Sequence, residues 1–349
     1  MGTGISSILL YELPYQFRGL DIIAEVIFAL NVFLFLLFTC ISIARYTIWP
    51  QLIILMLHHS SQSMFIGTFS MALTTIVDMC AYALAGPWGP RMVTFTWVLW
   101  WINAAIAFII CSAISVVQFT RNTHSHGSIT GLWLLTVITT VVVASAGGIV
   151  ADTLGNPSHA RLTVIVSYVL WGCGFPLAMI ILVMFYSRLS IYKVPSERLI
   201  VTILLPLGPL GQGLFGLLQF SAVVTKLSKE SGAAFGGPYT PEDARVIALG
   251  LHAVTVPIVL VMWGLAFVWF TMSCMILLDM WSVSELAFNM GWWGFTFPIG
   301  VFAAGTCLLG KQLDSHAFKI IGTIFSVFEV ILWLAMSVMT LKGAINGSV

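Results

Sequence analysis

Charged residues are scarce in this chain. Only 8% of its 349 residues are Asp, Glu, Lys or Arg, whereas an average soluble domain has about 25%. Hydrophobic residues make up 59%, and apolar runs of spanning length, about 20 residues each, follow one another almost from end to end. The composition predicts an all-α polytopic membrane protein with a single transmembrane domain over residues 1–349.

Several other features are missing, and each excludes a class of function. The net charge of +1 offers no basic surface for nucleic acid. The chain has no phosphate-binding loop, dinucleotide fingerprint or Ser-His-Asp arrangement, so we expect neither ATP-driven transport nor an enzyme.

Metal and disulfide chemistry also find no support. The six cysteines form no CxxC pair and are expected to be small buried hydrophobic residues. His58-His59 and His124-Ser-His126 lie at span ends without a nearby Cys or carboxylate, which favours solvated loop histidines over ligands. A membrane-embedded enzyme that uses these histidines and Glu329 is the rival from another class. We expect no metal and no cofactor.

Interruptions by charge, Pro and Gly divide the chain into nine full spans and an opening segment. The opening segment, MGTGISSILL, is only half as long as a span. We therefore expect a truncated first helix, with Met1 an internal methionine of a longer helix. The predicted full spans are 22–44, 58–84, 92–119, 129–151, 161–187, 198–224, 243–270, 284–309 and 316–341.

The odd-numbered spans of the ten share clusters of small and hydroxyl residues that the even-numbered spans lack. Gly and Pro at membrane depth free backbone groups, which are tolerated only inside protein or along a watery cavity, and interrupted helices present N–H groups to anions. The clusters predict a neutral, donor-rich pore, although close helix packing is the competing explanation. The candidate pore residues are Gly2, Thr3, Gly4, Ser6, Thr68, Ser70, Ser145, Gly147, Gly148, Pro209, Gly211, Gln212, Thr296 and Pro298.

The ninth span carries two further candidates. Phe297 and Phe295 flank Thr296 just before a proline, so a kink could hold an aromatic ring near the middle of the membrane. Hydrophobic constrictions can gate a pore, and both rings are candidate gates, with core packing as the alternative.

Two acidic residues are candidates for proton coupling. Glu329 lies near the middle of the last span, where an ionisable group is costly; a structural hydrogen bond or protomer contact is the alternative role. Asp152 follows AGGIVA and is a candidate for a vestibule. Glu25 and Asp78 are expected at the membrane interface.

The alternating Gly-rich spans, GTGIS in the first and WWGFTFP in the ninth resemble the tellurite-resistance/C4-dicarboxylate transporter superfamily, which includes the plant slow anion channels. The opening MGTGISSILLYELPYQFRGL is most similar to its fungal sulfite-efflux branch. The resemblance implies five helical hairpins around a quasi-fivefold axis, a central pore lined by the odd-numbered helices, cytosolic termini and a homo-oligomer, often a trimer. It also implies that a phenylalanine of the ninth helix occludes the pore, with Phe297 matched first and Phe295 second.

This resemblance predicts a plasma-membrane transporter or channel that exports sulfite or bisulfite, in contact with membrane lipid. A malate permease of the same fold is the alternative. Met1-Gly2-x-x-x-Ser6 also matches an N-myristoylation pattern, but a single acyl chain binds membranes weakly and no polybasic patch supports it. We expect Gly2 to be part of a pore-lining helix rather than an anchor.

Overall fold

The computed structural model describes residues 1–232, 235, 240–283 and 288–347, apart from the side chains of Glu197, Arg198 and Val283. Residues 284–287 of the predicted ninth span lie outside this part. The described residues form helices and no β-strand. The α-helices are α1 (Gly2–Tyr11), α2 (Leu20–Ile48), α3 (Gln51–His58), α4 (Gly67–Met79), α5 (Ala85–Trp88), α6 (Pro90–Thr120), α7 (Leu134–Thr153), α8 (Pro157–Tyr192), α9 (Leu207–Ser231), α10 (Pro241–Val283), α11 (Thr296–Gln312) and α12 (His316–Asn346).

Nine helical stretches in the described part of the chain are long and apolar enough to cross a membrane, and the ten-residue α1 is a shorter apolar helix. The chain is therefore a multi-pass membrane protein, as its composition predicts. Each predicted full span overlaps one of these stretches. The predicted span 243–270 is much shorter than the 43-residue α10, whose length of about 64 Å exceeds a hydrocarbon core of about 30 Å.

Burial alternates along the sequence. In the stretches that contain α4, α7, α9 and α11, 72–100% of the most apolar window is buried, against 17–39% for α2, α6, α8, α10 and α12. Gly2 to Leu9 of α1 are buried as well. We call α1, α4, α7, α9 and α11 the inner helices and the other five the outer helices. The helices that carry the clusters of small residues are thus the inner helices.

Each inner helix packs against the outer helix that follows it. The Ser7 hydroxyl of α1 donates to the Ala24 carbonyl of α2, and Trp293, just before α11, donates its indole N–H to the Thr340 hydroxyl of α12. The first contact joins the end of an inner helix to the start of the outer helix, and the second joins the start of an inner helix to the end of the outer helix, so these pairs are antiparallel.

The inner helices also contact one another in a closed order, α1–α4–α7–α9–α11–α1. Glycines allow their close approach. A Cβ on Gly211 of α9 would lie 2.7 Å from the backbone nitrogen of Phe302 on α11, and a Cβ on Gly300 of α11 would lie 2.5 Å from Ile5 on α1. Gly211 lets the backbones of α9 and α11 pack directly against each other, and Gly300 leaves room for the Ile5 side chain.

Four inner helices are preceded by a 3₁₀ segment: Gln62–Ile66, Gly131–Trp133, Glu197–Leu204 and Met290–Phe295. Three of the small-residue clusters, those around Thr68, Pro209 and Thr296, lie close to the point where such a segment passes into the α-helix. The small residues around Ser145, Gly147 and Gly148 instead lie inside the uninterrupted α7, so the helix is not interrupted at this cluster. Its small residues pack against neighbouring helices, and this packing keeps the backbone helical.

The antiparallel arrangement gives the bundle two faces. We call the end at which α4, α7, α9 and α11 begin the N-face and the opposite end the C-face. The N-face is marked by Ser61, Thr130, Ser196 and Asn289, and the C-face by Glu12, Asp152, Lys226 and Gln312.

Candidate functional site

A small cavity lies among the inner helices near the C-face. Its volume is about 20 Å³, close to the minimum that holds one water molecule. All ten lining residues come from α1, α9, α11 and the short π-helix Cys80–Leu84 that continues α4; none comes from an outer helix. They are Ile8, Leu9, Glu12, Tyr82, Phe215, Gln219, Ala304, Cys307, Leu308 and Lys311.

Helical periodicity extends this lining toward the N-face. Successive α-helical residues are about 100° apart, so residues separated by seven share a face. Phe297 lies seven residues before the cavity-lining Ala304 within α11, whereas Phe295 belongs to the 3₁₀ segment that precedes α11 and packs against Trp292. We call the stripe that begins at Phe297 and continues through the cavity the axial path. Of the two candidate gates, only Phe297 lies on it.

Gln212 is the polar residue of α9 on the axial path. It lies seven residues before Gln219 and is buried. Its backbone carbonyl accepts a hydrogen bond from the Ser145 hydroxyl of α7 at 3.0 Å, but its side-chain amide makes no hydrogen bond to any residue that the structure describes. An amide N–H at this position is free to meet an anion.

Asp78 of α4 also faces the axial path, although the sequence predicted an interfacial position. Phe69 on the same helix is 39% exposed and packs against Phe35 of the outer helix α2. Asp78 follows Phe69 by nine residues and is therefore turned about 180° away from the lipid side. It is 6% exposed, and its Oδ1 has no hydrogen-bond partner in the described part of the chain. The interfacial prediction is wrong for Asp78 because the π-helix continues the buried span beyond it.

The hydroxyls of α1 point away from the axial path. Ser6 donates to both carboxylate oxygens of Glu329 on α12, at 3.0 Å each, and Thr3 accepts a hydrogen bond from the indole N–H of Trp333 on α12. The face of α1 that lines the cavity is apolar as far as Glu12. Thr3 and Ser6, predicted as pore residues, therefore hold α1 against an outer helix.

Most of the predicted glycines lie in helix interfaces. A Cβ on Gly2 would meet Thr296 and Trp293, and one on Gly148 would meet Gln219 and Phe220 of α9. Gly147 instead packs against Ser167 and Trp100 of the outer helices, and Gly4 against Thr75 of α4 and Asn31 of α2. Gly211 lies against α11, as described above.

The remaining candidates divide between interfaces and helix starts. Ser70 donates to the Asn103 side chain of α6, whereas Thr68 and Thr296 donate to carbonyls of their own segments, Phe65 and Trp293. Pro209 and Pro298 are buried in the first turn of α9 and α11, where a missing N–H costs no helical bond.

The inner helices thus form a ring around a narrow path. The sequence also shows to which family of proteins this chain is related. A family profile described as SLAC1, voltage-dependent anion channel, matches residues 1–341. The chain belongs to the SLAC1 family. Its membership accords with the predicted transporter and channel class, whose members are not enzymes.

Fungal members of this family are similar over most of the chain. The sulfite efflux pump SSU1 of Arthroderma benhamiae is 41% identical over 340 residues, which cover 97% of this chain and 87% of that protein. SSU1 of Saccharomyces cerevisiae is 26% identical, covering 93% of this chain and 81% of the yeast protein. The malic acid transport protein of Schizosaccharomyces pombe is also 26% identical, covering 96% and 74%.

In this SLAC1-family chain, two of the three ion pairs that the described residues form at the C-face join neighbouring inner helices. Lys311 of α11 contacts Glu12 beside α1 at 2.6 Å, and Lys226 of α9 contacts Asp152 of α7 at 2.9 Å. The Asp152 side chain is 56% exposed, so this residue lies at the surface of the C-face rather than in the buried core. Sequence reasoning missed the Glu12–Lys311 pair because its members are 299 positions apart.

Glu329 is fully buried, but not on the axial path. It lies on the outer helix α12 and accepts the Ser6 hydroxyl described above. Metal chemistry has no candidate site: the described residues contain no group of three or more His, Cys, Asp or Glu that could hold an ion.

Proposed function

We propose that this protein is a channel-like transporter that exports sulfite, or its protonated form bisulfite, along the axial path. The observation that carries this proposal is the closed contact order of five inner helices around a path that carries the amides of Gln212 and Gln219 and, among the described residues, no lysine or arginine between Phe297 and Gln219. The Asp78 carboxylate is also turned toward this path. A neutral donor suits an anion that must bind and then leave. The name of the Arthroderma relative supports sulfite as the anion.

The membrane potential supplies the driving force. An anion that leaves a cell with a negative interior gains about 2.3 kcal/mol per charge per 100 mV. Export therefore needs no ATP site. Amide N–H groups such as those of Gln212 replace part of the hydration shell of the anion without holding it as tightly as a buried arginine would.

Phe297 is the proposed gate. Its side chain is 6% exposed and lies on the axial path on the N-face side of the cavity. The cavity has room for about one water molecule, which is smaller than a sulfite ion. The described conformation is thus closed to the anion, and movement of the Phe297 ring opens it.

The proposal includes the cellular setting implied by the family resemblance. The protein lies in the plasma membrane with both termini in the cytosol, so the N-face is cytosolic, and it assembles as a trimer around which lipid contacts the outer helices. Asn346-Gly347-Ser348 is a glycosylation sequon whose Ser348 lies outside the described residues. A cytosolic C-terminus predicts that Asn346 carries no glycan.

The second candidate substrate is malate, which the Schizosaccharomyces relative favours by its name. A dicarboxylate has two separated charges and would be expected to need a cation for the second one. The axial path offers none between Phe297 and Gln219 in the described residues. Sulfite is therefore the better fit.

Cells provide the test of the proposed function. A sulfite-sensitive host that expresses this protein should clear internal sulfite faster than the same host with an empty vector, and excess malate should not slow clearance. Equal clearance with and without the protein contradicts sulfite export, whereas competition by malate supports the dicarboxylate alternative.

A further inference from the structure

A second and larger cavity opens at the N-face. Its volume is about 300 Å³, which is enough for a small hydrated ion. The lining comes from the connections that lead into α4, α7 and α9 and from the end of α8. The residues are Ser60, Ser61, Met64, Thr123, His124, Gly127, Ser128, Thr130, Leu132, Trp133, Arg188, Pro195, Ser196 and Leu199.

Arg188 supplies the positive charge of this N-face cavity. The residue is 8% exposed. Its Nε–H donates to the Gly127 carbonyl at 3.2 Å and its Nη1 to the Lys193 carbonyl at 2.6 Å. A guanidinium has five N–H donors, and its Nη2 makes no hydrogen bond to any described residue. The two backbone bonds fix the guanidinium plane and leave part of its donor edge free.

Hydroxyl donors surround the same space without partners of their own. Their side-chain oxygens make no hydrogen bond to residues that the structure describes, and no aspartate or glutamate is among the described lining residues. No carboxylate among the described lining residues thus opposes the Arg188 charge. The hydroxyls belong to Ser60, Ser61, Thr123, Thr130 and Ser196.

His124 adds one more donor. Its ring lies edge-on to Trp133, with 4.6 Å between ring centroids, and its Nε2 is buried without a partner in the described part of the chain. Burial lowers the pKa of His124 below its ordinary value, so the ring is neutral at pH 7. A neutral imidazole that carries its proton on Nε2 donates into the cavity.

We propose that the N-face cavity is a binding site for a small inorganic oxyanion, held by Arg188 and the surrounding hydroxyls. This proposal rests on the proposed function in one respect: the anion bound here is the one that then enters the axial path. A guanidinium edge and several hydroxyls match the oxygens of a tetrahedral or pyramidal oxyanion. Binding in an open cavity raises the local anion concentration without trapping the ion inside the narrow path.

The test measures binding separately from transport. Purified protein in detergent is heated in sodium sulfite, sodium sulfate or sodium chloride at equal ionic strength. Sulfite should raise the unfolding temperature of the wild type above the chloride value. A rise with sulfate as well shows that the site recognises oxyanions in general, and a rise with sulfite alone shows that it recognises the substrate; both outcomes support an oxyanion site.

Three variants locate the site. Arg188→Gln should abolish the oxyanion-dependent rise, whereas Arg121→Gln, an exposed arginine at the same face, should retain it. Because Arg188→Gln also loses two backbone hydrogen bonds, the variant Ser60→Ala/Thr123→Val/Ser196→Ala is measured beside it. This triple variant removes three hydroxyls and leaves Arg188 in place.

In proteoliposomes, Arg188→Gln should raise the half-saturating sulfite concentration about tenfold and retain most of the maximal flux.

Two results overturn the proposal. One is an oxyanion-dependent rise that persists in the triple variant and in Arg188→Gln. The other is an unchanged half-saturating concentration in both variants while the wild type transports sulfite. If the wild type transports no sulfite but oxyanions still stabilise it through Arg188, the binding site stands and the proposed function fails.

Discussion

The Ser6 hydroxyl lies 3.0 Å from each carboxylate oxygen of Glu329, and both side chains are fully buried. This contact joins the inner helix α1 to the outer helix α12 across 323 sequence positions. It places the buried carboxylate between two helices and off the axial path. The geometry favours a structural role for Glu329 over proton coupling.

Substitution of Glu329 separates these two roles. Glu329→Gln keeps an acceptor for Ser6, so its unfolding temperature and its ratio of flux with and without a pH gradient should match the wild type. Glu329→Ala removes the acceptor and leaves a cavity, which should cost roughly 2–3 kcal/mol of stability. Loss of gradient-dependent flux in Glu329→Gln would instead assign proton coupling to this residue.

Glycine at position 211 sets the distance between α9 and α11. A Cβ there would lie 2.7–2.8 Å from the Phe302 backbone, which a side-chain rotation does not relieve. Gly211→Ala should destabilise the protein by about 1–3 kcal/mol, seen as a lower unfolding temperature in detergent. Gly172→Ala on α8, where a Cβ meets nothing within 4 Å, is the control and should be neutral or slightly stabilising. Equal stability of the two variants contradicts the described packing.

Asp78 places a carboxylate on the path of an anion. Removal of its charge should raise sulfite flux, because like charges repel strongly where water is excluded. The ratio of Asp78→Asn flux to wild-type flux should be largest at high pH and fall toward one as the pH falls, since protonation removes the charge from the wild type. Because both proteins are measured at the same pH, the protonation of sulfite affects both fluxes equally and does not change their ratio. Asp279→Asn on the outer helix α10 should give a ratio near one throughout, and a constant ratio for Asp78→Asn would remove this residue from the path.

Phe297 and Phe295 form a matched pair two residues apart. Phe297→Ala should give a more open and less selective pore, with higher sulfite flux and leakage of chloride, because only Phe297 lies on the axial path. Phe295→Ala should leave flux and selectivity close to the wild type. Anion flux in proteoliposomes measures both. The gate assignment is wrong if Phe295→Ala opens the pore and Phe297→Ala does not.

The layers of the fold could be predicted from the sequence, but the directions of many side chains could not. Small-residue clusters in alternate spans indicated which helices are buried, because only buried helices need close backbone approach. The sequence predicts Thr3 and Ser6 as pore residues because a hydroxyl residue has the same sequence pattern whether it faces a path or a neighbouring helix. The difference depends on rotation about the helix axis, which tertiary contacts fix.

Two functional candidates had weak sequence signals. Asp78 is close to a predicted span end. The sequence of residues 80–84, CAYAL, has no feature that predicts the π-helix which extends the buried segment beyond Asp78. In the sequence, Arg188 is one of several basic residues at span ends, and nothing distinguishes it from the others. Its cavity exists only because the connections before α4, α7 and α9 come together at the N-face.

Sulfite flux into and out of proteoliposomes that contain the purified protein tests the central claim most directly. With a membrane potential and no pH gradient, the account predicts sulfite flux that follows the potential, exceeds malate flux and increases in Phe297→Ala. Empty liposomes and the Phe295→Ala variant provide the baselines. Sulfite flux no greater than in empty liposomes would contradict the account.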